Sequence, residues 1–286
     1  MNTVDRHETM GFSPLSRGET TRFFACRPFE GLDCLTATFR THCYVPHTHD
    51  TYVIGSIVAG CETWTVRGVR GYASLGDFVF INPGEVHDGA PHGGGYTYRM
   101  SYPAVAMMQR IAGEIVGRPT TGTPFFPTTV VHDPQGTALF VAAHQAMEQG
   151  EELAGEELFY RAYARCLTRH AGLAPRPAGR EAAAVQRLKT IMIERHAEDL
   201  SLATLAAEAG LPRHHLIRAF RRETGLTPHA FLVDRRIIAA QERLRRGESP
   251  AEAAAATGFS DQAHLTRAFK ARLGVTPGAY RAALAA

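Results

Sequence analysis

The stretch from Leu200 to Tyr280 states one pattern twice. Its first half runs G-L-P-R-H-H-L-I-R-A-F (Gly210 to Phe220), then Gly225, Thr227-Pro228 and Phe231. Its second half runs G-F-S-D-Q-A-H-L-T-R-A-F (Gly258 to Phe269), then Gly274, Thr276-Pro277 and Tyr280. Gly210 maps to Gly258 at an offset of 48, whereas Leu216, Arg218, Phe220, Gly225 and Pro228 map to Leu265, Arg267, Phe269, Gly274 and Pro277 at 49. Such a chain holds two copies of one small helical unit, with one residue inserted between the turn glycine and the second helix.

In the first copy Ser201 is placed to cap a helix whose Leu202, Leu205, Ala206 and Ala209 share a face, and Gly210 supplies a left-handed stop. A short turn leads to a second helix, Arg213 to Thr224, whose Leu216, Ala219 and Phe220 turn inward. That is a helix-turn-helix pattern. The opposite face carries Arg213, His214, Ile217, Arg218 and Arg221; its equivalent in the second copy carries Gln262, Ala263, Thr266, Arg267 and Lys270. Basic and amide groups of this reach suit phosphates and base edges, although any single exposed arginine is more often a solvated surface group. The recurrence of Arg218 and Arg267 at matching places favours DNA. Ile217 is equally suited to a thymine methyl or to the core, and His215, about 100° from His214, is expected to pack inward. Ser249-Pro250 opens the second copy with a cap and a first-turn proline, and Gly258, Gly274 and Thr276-Pro277 punctuate it. Between the copies, Pro228 to Arg246 reads as a long helix, a strut that would set two reading helices about one duplex turn, ~34 Å, apart.

These residues resemble the DNA-binding domain of the AraC/XylS family of transcription regulators. The resemblance covers roughly residues 182 to 283 and rests on A-x-x-A-G-L with R-x-F-R-R-E-T-G-L-T-P, then A-x-x-x-G-F-S-D-Q-A-H-L-T-R-A-F-K-x-x-x-G-V-T-P-x-x-Y-R. It implies that His214, Ile217 and Arg218, and then Gln262, Ala263 and Arg267, face the bases. Pro212 departs from the serine or threonine cap that the family often has there.

Charge separates the chain into halves. Residues 180–286 hold 17 Arg and Lys against 11 Asp and Glu, net +6, leaving 14 against 17, net −3, for residues 1–179. The basic half is the one with the repeat. No run of eighteen apolar residues exists, and Met1 to Thr20 lacks an apolar signal segment, so the expectation is a soluble, cytoplasmic protein without a membrane partner. Five cysteines (Cys26, Cys34, Cys43, Cys61, Cys166), an odd number without C-x-x-C spacing, indicate neither a zinc finger nor a disulfide framework.

Met1 to Ser16 is polar and patternless, an expected tail. From Thr20 to Tyr102 short apolar runs alternate with turn signals: Leu35 to Phe39, Tyr52 to Val58, Trp64 to Val66, Asp77 to Ile81 and Tyr96 to Tyr102. Gly60, Arg67-Gly68 and Gly93-Gly94-Gly95 are among the turn signals, and the whole predicts an antiparallel barrel or sandwich. Helical spacing follows in Ala104 to Val116, Pro134 to Gln149 and Glu151 to His170, and Gly172 to Arg180 reads as a linker. The expected fold is therefore multi-domain α and β. An amino-terminal antiparallel β-barrel with following helices spans 1–171, a linker 172–180, and an all-α tandem helix-turn-helix domain 181–286.

Within the strand-rich part, P-H-T-H-D (Pro46 to Asp50) and G-D-F-V-F-I-N-P-G-E-V-H (Gly76 to His87) carry the chemistry. Residues two apart on a strand share a face, so His47 and His49 point together, and the Pro-Gly turn before His87 could return it to them. Three converging imidazoles suit a divalent metal such as zinc or iron. Alternatively they line an organic-ligand pocket with Tyr52, Trp64, Tyr98 and Arg99, or simply pack. Arg99 would then meet a ligand carboxylate, or else pair internally with Asp77 or Glu85. The two stretches resemble the cupin motifs and, in their order, the sensor domain of AraC-type regulators, over roughly residues 35 to 102. One departure matters. The first cupin metal motif places a glutamate shortly after H-x-H, where this chain has Tyr52, Val53 and Ile54, so the acidic ligand is missing unless Glu85 substitutes.

Amphipathic helices outside a barrel need an apolar partner, which for those from Ala104 to His170 is the barrel, the DNA-binding domain or a second protomer; the resemblance implies the last, a homodimer. The reading that results is a ligand-responsive, sequence-specific transcription regulator without enzymatic activity. Its partners would be double-stranded DNA, a small-molecule effector and RNA polymerase. The alternative is a metal-dependent cupin enzyme, a dioxygenase or isomerase, fused to a DNA-binding module.

Overall fold

The computed structural model describes residues 16–29, 31–174, 181–273 and 275–284. Residues 1–15 of the expected tail, residues 175–180 of the expected linker and Gly274 lie outside the described residues. Contacts gather Met1–Glu148 with Leu158–Pro175 into one unit, and Gln149–Glu157 with Arg176–Ala286 into a second.

The first unit is built on eight antiparallel strands: β1 (Thr20–Cys26), β2 (Leu32–Phe39), β3 (Tyr44–His47), β4 (Val53–Val66), β5 (Val69–Ser74), β6 (Asp77–Ile81), β7 (His87–Tyr102) and β8 (Val130–His132). Their order is β1-β2-β7-β4-β6-β8, with β3 on β7 and β5 on β4. The pairings do not return to their start, so the expected barrel is an open sheet. Two expected strands, Tyr52 to Val58 and Trp64 to Val66, are one 14-residue strand, because Gly60 marks a bulge and not a turn. Gly93 to Gly95, also read as a turn, run inside the 16-residue β7. At both places a glycine permits close backbone approach. Gly60 has φ 71°, and a Cβ there would collide with the Gly95 carbonyl.

One face of the sheet is an apolar core of Leu35, Ala37, Phe39, Val53, Ile57, Val66, Ala73, Val79, Ile81, Tyr96, Tyr98 and Met100, with Tyr44, Trp64 and Tyr102 packed on it. The other face meets α2 (Pro134–Glu148) and the later turns of α3 (Glu152–His170), and α1 (Val105–Val116) follows β7 in the chain. Phe78 meets Phe140 of α2 at 5.7 Å between ring centroids. Tyr163 of α3 donates its hydroxyl to Ser101 Oγ at 2.9 Å, and Ser101 donates to the Ile54 carbonyl. Phe140 of α2 and Phe159 and Tyr163 of α3 are fully buried. Arg165 holds Asp133 through two hydrogen bonds of 2.7 and 2.6 Å. That guanidinium keeps the Asp133 carboxyl far below the usual carboxylate range.

The second unit contains α4 (Ala182–Glu194), α5 (Leu202–Ala209), α6 (Arg213–Thr224), α7 (Pro228–Arg245), α8 (Pro250–Ala256), α9 (Gln262–Leu273) and α10 (Pro277–Leu284). The caps are those the repeat announces. Ser201 accepts from Thr204 N, Thr227 from Ala230 N, and Ser249 forms a capping box with Glu252. Gly210 and Gly225 stop α5 and α6 in the left-handed conformation. Pro212, at the start of α6, offers no side-chain cap. Two carboxylates from Gln149–Glu157 add to these caps: Glu156 accepts from Leu202 N at 2.7 Å and Glu157 from His229 N at 3.2 Å.

Gly60→Ala combines a left-handed backbone with a backbone collision, and is expected to cost about 3 kcal/mol in urea unfolding. Gly68→Ala, also at positive φ but facing open space, is expected to cost only about 1 kcal/mol.

Candidate functional site

The reading helices are positioned by their cores. In α6, Leu216, Ala219 and Phe220 are buried, and Phe220 packs on Phe231 of α7 at 5.4 Å. In α9, Leu265 and Phe269 are buried in a cluster with Val233, Ile237, Ala240 and Leu244 of α7. Arg218, Arg221, Gln262, Ala263, Arg267 and Lys270 are left exposed, and Arg213 is half-buried.

Three of the expected DNA-facing residues are placed differently. Ile217 is 4% exposed, as expected when a large apolar side chain leaves water, so it does not present a surface to bases in this conformation. Thr266 spends its hydroxyl on the Gln262 carbonyl of its own helix, at 2.8 Å. His214 is half-buried, and burial, helped by the Arg218 charge, lowers its pKa to about 4. It is a neutral imidazole at neutral pH and adds no charge to a phosphate contact. His215 is buried, 3.6 Å from Glu181. Arg267 lies 3.6 Å from Glu151, a carboxylate that also stands 3.7 Å from His264. Arg222, conspicuous in sequence beside Arg221, is spent on Glu181 and Glu223.

In the sheet unit the three histidines do converge. His47 pairs with His87 across β3 and β7, and ligand atoms of His47, His49 and His87 all lie within 4.8 Å of one another. Nδ1 of His47 is 2.8 Å from the Val45 carbonyl, and Nδ1 of His87 is 2.9 Å from the Glu85 carbonyl. A carbonyl only accepts, so both rings carry a proton on Nδ1, which leaves Nε2 as the atom that would hold a cation when the ring is neutral. Burial, reinforced by neighbouring histidines, lowers the pKa of His49 to about 4. Burial likewise lowers that of His87. Neutral imidazoles with free Nε2 atoms are the form that ligates a cation. Glu85 does not complete the set. Its carboxylate is held by Arg67 at 2.6 Å, Asn82 N at 2.9 Å and Asn82 Nδ2 at 3.2 Å.

The expected ligand residues divide between places. Trp64 and Tyr98 lie on the core face, where Tyr98 shares a 2.7 Å hydroxyl contact with Tyr44. Tyr44 in turn stands 5.7 Å from His47, and Tyr102 5.4 Å from His49. Tyr52 is elsewhere: fully buried, its hydroxyl donates to the Pro124 carbonyl at 2.5 Å and its ring meets Phe126. Arg99 alternates with Tyr98 on β7, faces the helices and pairs with Glu148 at 2.9 Å, bonding Thr36 as well. Neither expected internal partner, Asp77 or Glu85, holds it. One residue escaped the sequence reading. Glu62 is 7% exposed and shares its strand face with Trp64 and Val66. Burial pushes its pKa to about 8, with the Tyr96 hydroxyl beside it pulling down and Asp88 pushing up. Period-two alternation was the signal that pointed to it.

An antiparallel sheet domain followed by two helix-turn-helix units on one chain defines a ligand-binding transcription regulator. A family model described as the AraC-like ligand binding domain matches residues 30–163, and one described as a helix-turn-helix domain matches residues 205–283. The chain is 30% identical over 223 residues, 76% of its length and 79% of the other's, to the uncharacterized HTH-type transcriptional regulator YbfI of Bacillus subtilis (strain 168). It belongs to the AraC-type family of helix-turn-helix transcription regulators. Solved structures cover parts of it. The DNA-binding domain of AdpA, a global transcriptional factor in complex with a target DNA, is 34% identical over 35% of this chain and 91% of that one, with a TM-score of 0.34. An AraC-type regulator from Chromobacterium violaceum is 25% identical over 36% and 94%, with a TM-score of 0.35. Bacillus subtilis oxalate decarboxylase is 15% identical over 32% and 27%, with a TM-score of 0.28. Similarities of this extent transfer no contact or activity to this chain. No helix among the described residues is long and apolar enough to cross a membrane.

Proposed function

We propose that this regulator reads DNA with Arg218 of α6 and Arg267 of α9, and that an effector taken up on the core face of its sheet changes that reading. The observation that carries the DNA half is the placement of both arginines, exposed, at equivalent positions of two helices whose apolar sides are fixed on one strut, α7. Arg213, Arg221 and Lys270 border them and suit phosphates; Gln262 and Ala263 open the second reading helix. An effector acts by binding two arrangements of the protein with different affinity. The family resemblance extends the proposal to a cytoplasmic homodimer that works with RNA polymerase.

The effector half rests on the cluster of His47, His49 and His87 with Tyr44 and Tyr102 beside it, Tyr98 bonded to Tyr44, and Trp64 on the same core face. The three imidazoles fit a divalent metal such as zinc or iron, which would supply a Lewis-acidic centre with open positions. A metal-dependent cupin reaction is the lesser reading, because Glu85, the acidic ligand that sequence offered in place of the missing glutamate, is committed to Arg67 and Asn82. Arg99 and Tyr52, committed to Glu148 and the Pro124 carbonyl, take no part.

Arg218→Ala and Arg267→Ala are each expected to lose about 1–3 kcal/mol on a selected cognate duplex, with a much smaller loss on random DNA. Titrations on both duplexes at one salt concentration check this, and equal losses would remove base reading from these residues. His47→Ala and His87→Ala are each expected to weaken zinc binding at least tenfold in competition with a chromogenic chelator, while Arg99→Ala leaves it unchanged.

A further inference from the structure

We propose that the aromatic side of the core face takes a small organic cation, and that Glu62 is the group that pairs with its ammonium. This deepens the effector reading above and rests on it.

Glu62 lies on the sheet's interior-facing side, opposite Ala73 of β5 and Pro91 of β7. The carboxyl occupies space that glycine leaves open. A Cβ at Gly89 would fall 2.6 Å from Glu62 Oε1 and 3.5 Å from Tyr44 Cδ2, so Glu62 and Tyr44 converge over a backbone that has no side chain there. Two residues along β4, the Trp64 indole lies flat over Gly71, where a Cβ would collide with its six-membered ring. Its Nε1 is buried with no hydrogen-bond partner among the described residues. Tyr96, beside Glu62, stacks on Tyr98 at 5.5 Å. A buried carboxyl beside Tyr44 and Tyr96, on the strand face it shares with Trp64, is an arrangement that favours a cation, since each ring presents a negative face.

The charge balance points the same way. The groups that act on Glu62 are the Tyr96 hydroxyl and a second acid, Asp88; no lysine, arginine or histidine pairs with it among the described residues. Burying a carboxylate without a counter-charge is costly, so the group holds its proton to about pH 8. A ligand ammonium supplies the missing charge and allows the carboxylate to form. An anionic effector finds the opposite. Arg99 is turned to the other face and held by Glu148, and Arg67 is held by Glu85. Neither is offered to a ligand carboxylate.

The test is calorimetric titration of the full-length protein with a graded set of ammonium ions, tetramethylammonium, n-butylamine and benzylamine, each beside its neutral isostere, and with benzoate. At least one ammonium ion is expected to bind saturably, ten times or more tighter than its isostere, with no binding of benzoate. Glu62→Gln, which replaces a neutral acid by a neutral amide of the same shape, is expected to lose that preference. Gly89→Ala, which crowds the carboxyl without altering charge, is expected to weaken the amine at least tenfold, and thermal melts establish that both variants are folded. Equal binding of the neutral isosteres, tighter binding of benzoate, an unchanged Glu62→Gln, or no binding of any ammonium ion would each overturn the proposal. If DNA binding persists in that last case, the regulator stands and the cation alone falls. Loss of base reading in the arginine variants, conversely, leaves amine titration untouched.

Discussion

Helix α7 buries an apolar face that runs from Pro228 to Leu244, and the carboxy-terminal unit depends on that fact. Phe231 packs on Phe220 of the first reading helix, whereas Val233, Ile237, Ala240 and Leu244 form the core under the second. Arg236, part-way along, donates to the carbonyls of His196 and Glu198 and ties the segment between α4 and α5 to the same helix. One element thus supplies apolar surface to both copies of the repeat, and neither reading helix can shift without disturbing that packing. Two weak readers held at a fixed separation behave as one strong one, because the second contact is intramolecular.

The sheet unit has its own organising contact, the long pairing of β4 with β7. It puts Glu62 and Trp64 on one strand and Tyr96 and Tyr98 on the next, and brings His87 to His47 on β3. Alternation then sorts the chemistry. Tyr98 falls on the core face, and Arg99, one residue on, falls on the helix face and becomes a structural partner of Glu148. A charged group that sequence offered to a ligand is spent on stability, and an acid that sequence passed over stands where a ligand would meet it.

Legibility followed the range of the interactions. Helix α6 spans Arg213–Thr224 as the sequence indicates, because its limits are set by neighbours: a proline before it and a left-handed Gly225 after it. Caps at Ser201, Thr227 and Ser249 are equally local. The convergence of His47 and His49 with His87 was legible because their motifs are short, although His49 lies just beyond β3 and alternation does not place it. Arg99 and Tyr52 were not, because their partners lie 49 and 72 residues away. Gly60 and Gly93 to Gly95 read as turns since a glycine signals freedom without saying whether a turn or a close strand contact uses it. Ile217 carried both meanings in sequence, and burial selected one.

The central claim is that α7 makes the two reading helices a single rigid reader of one duplex face. The most direct measurement is affinity for a selected duplex into which about five base pairs, half a helical turn, are inserted between the two segments that footprinting shows protected. A rigid strut cannot follow that rotation, so affinity is expected to fall to the non-specific level, a loss on the order of a hundredfold or more. Retention of specific affinity on the interrupted duplex, or protection of only one segment on the parent, would contradict the account.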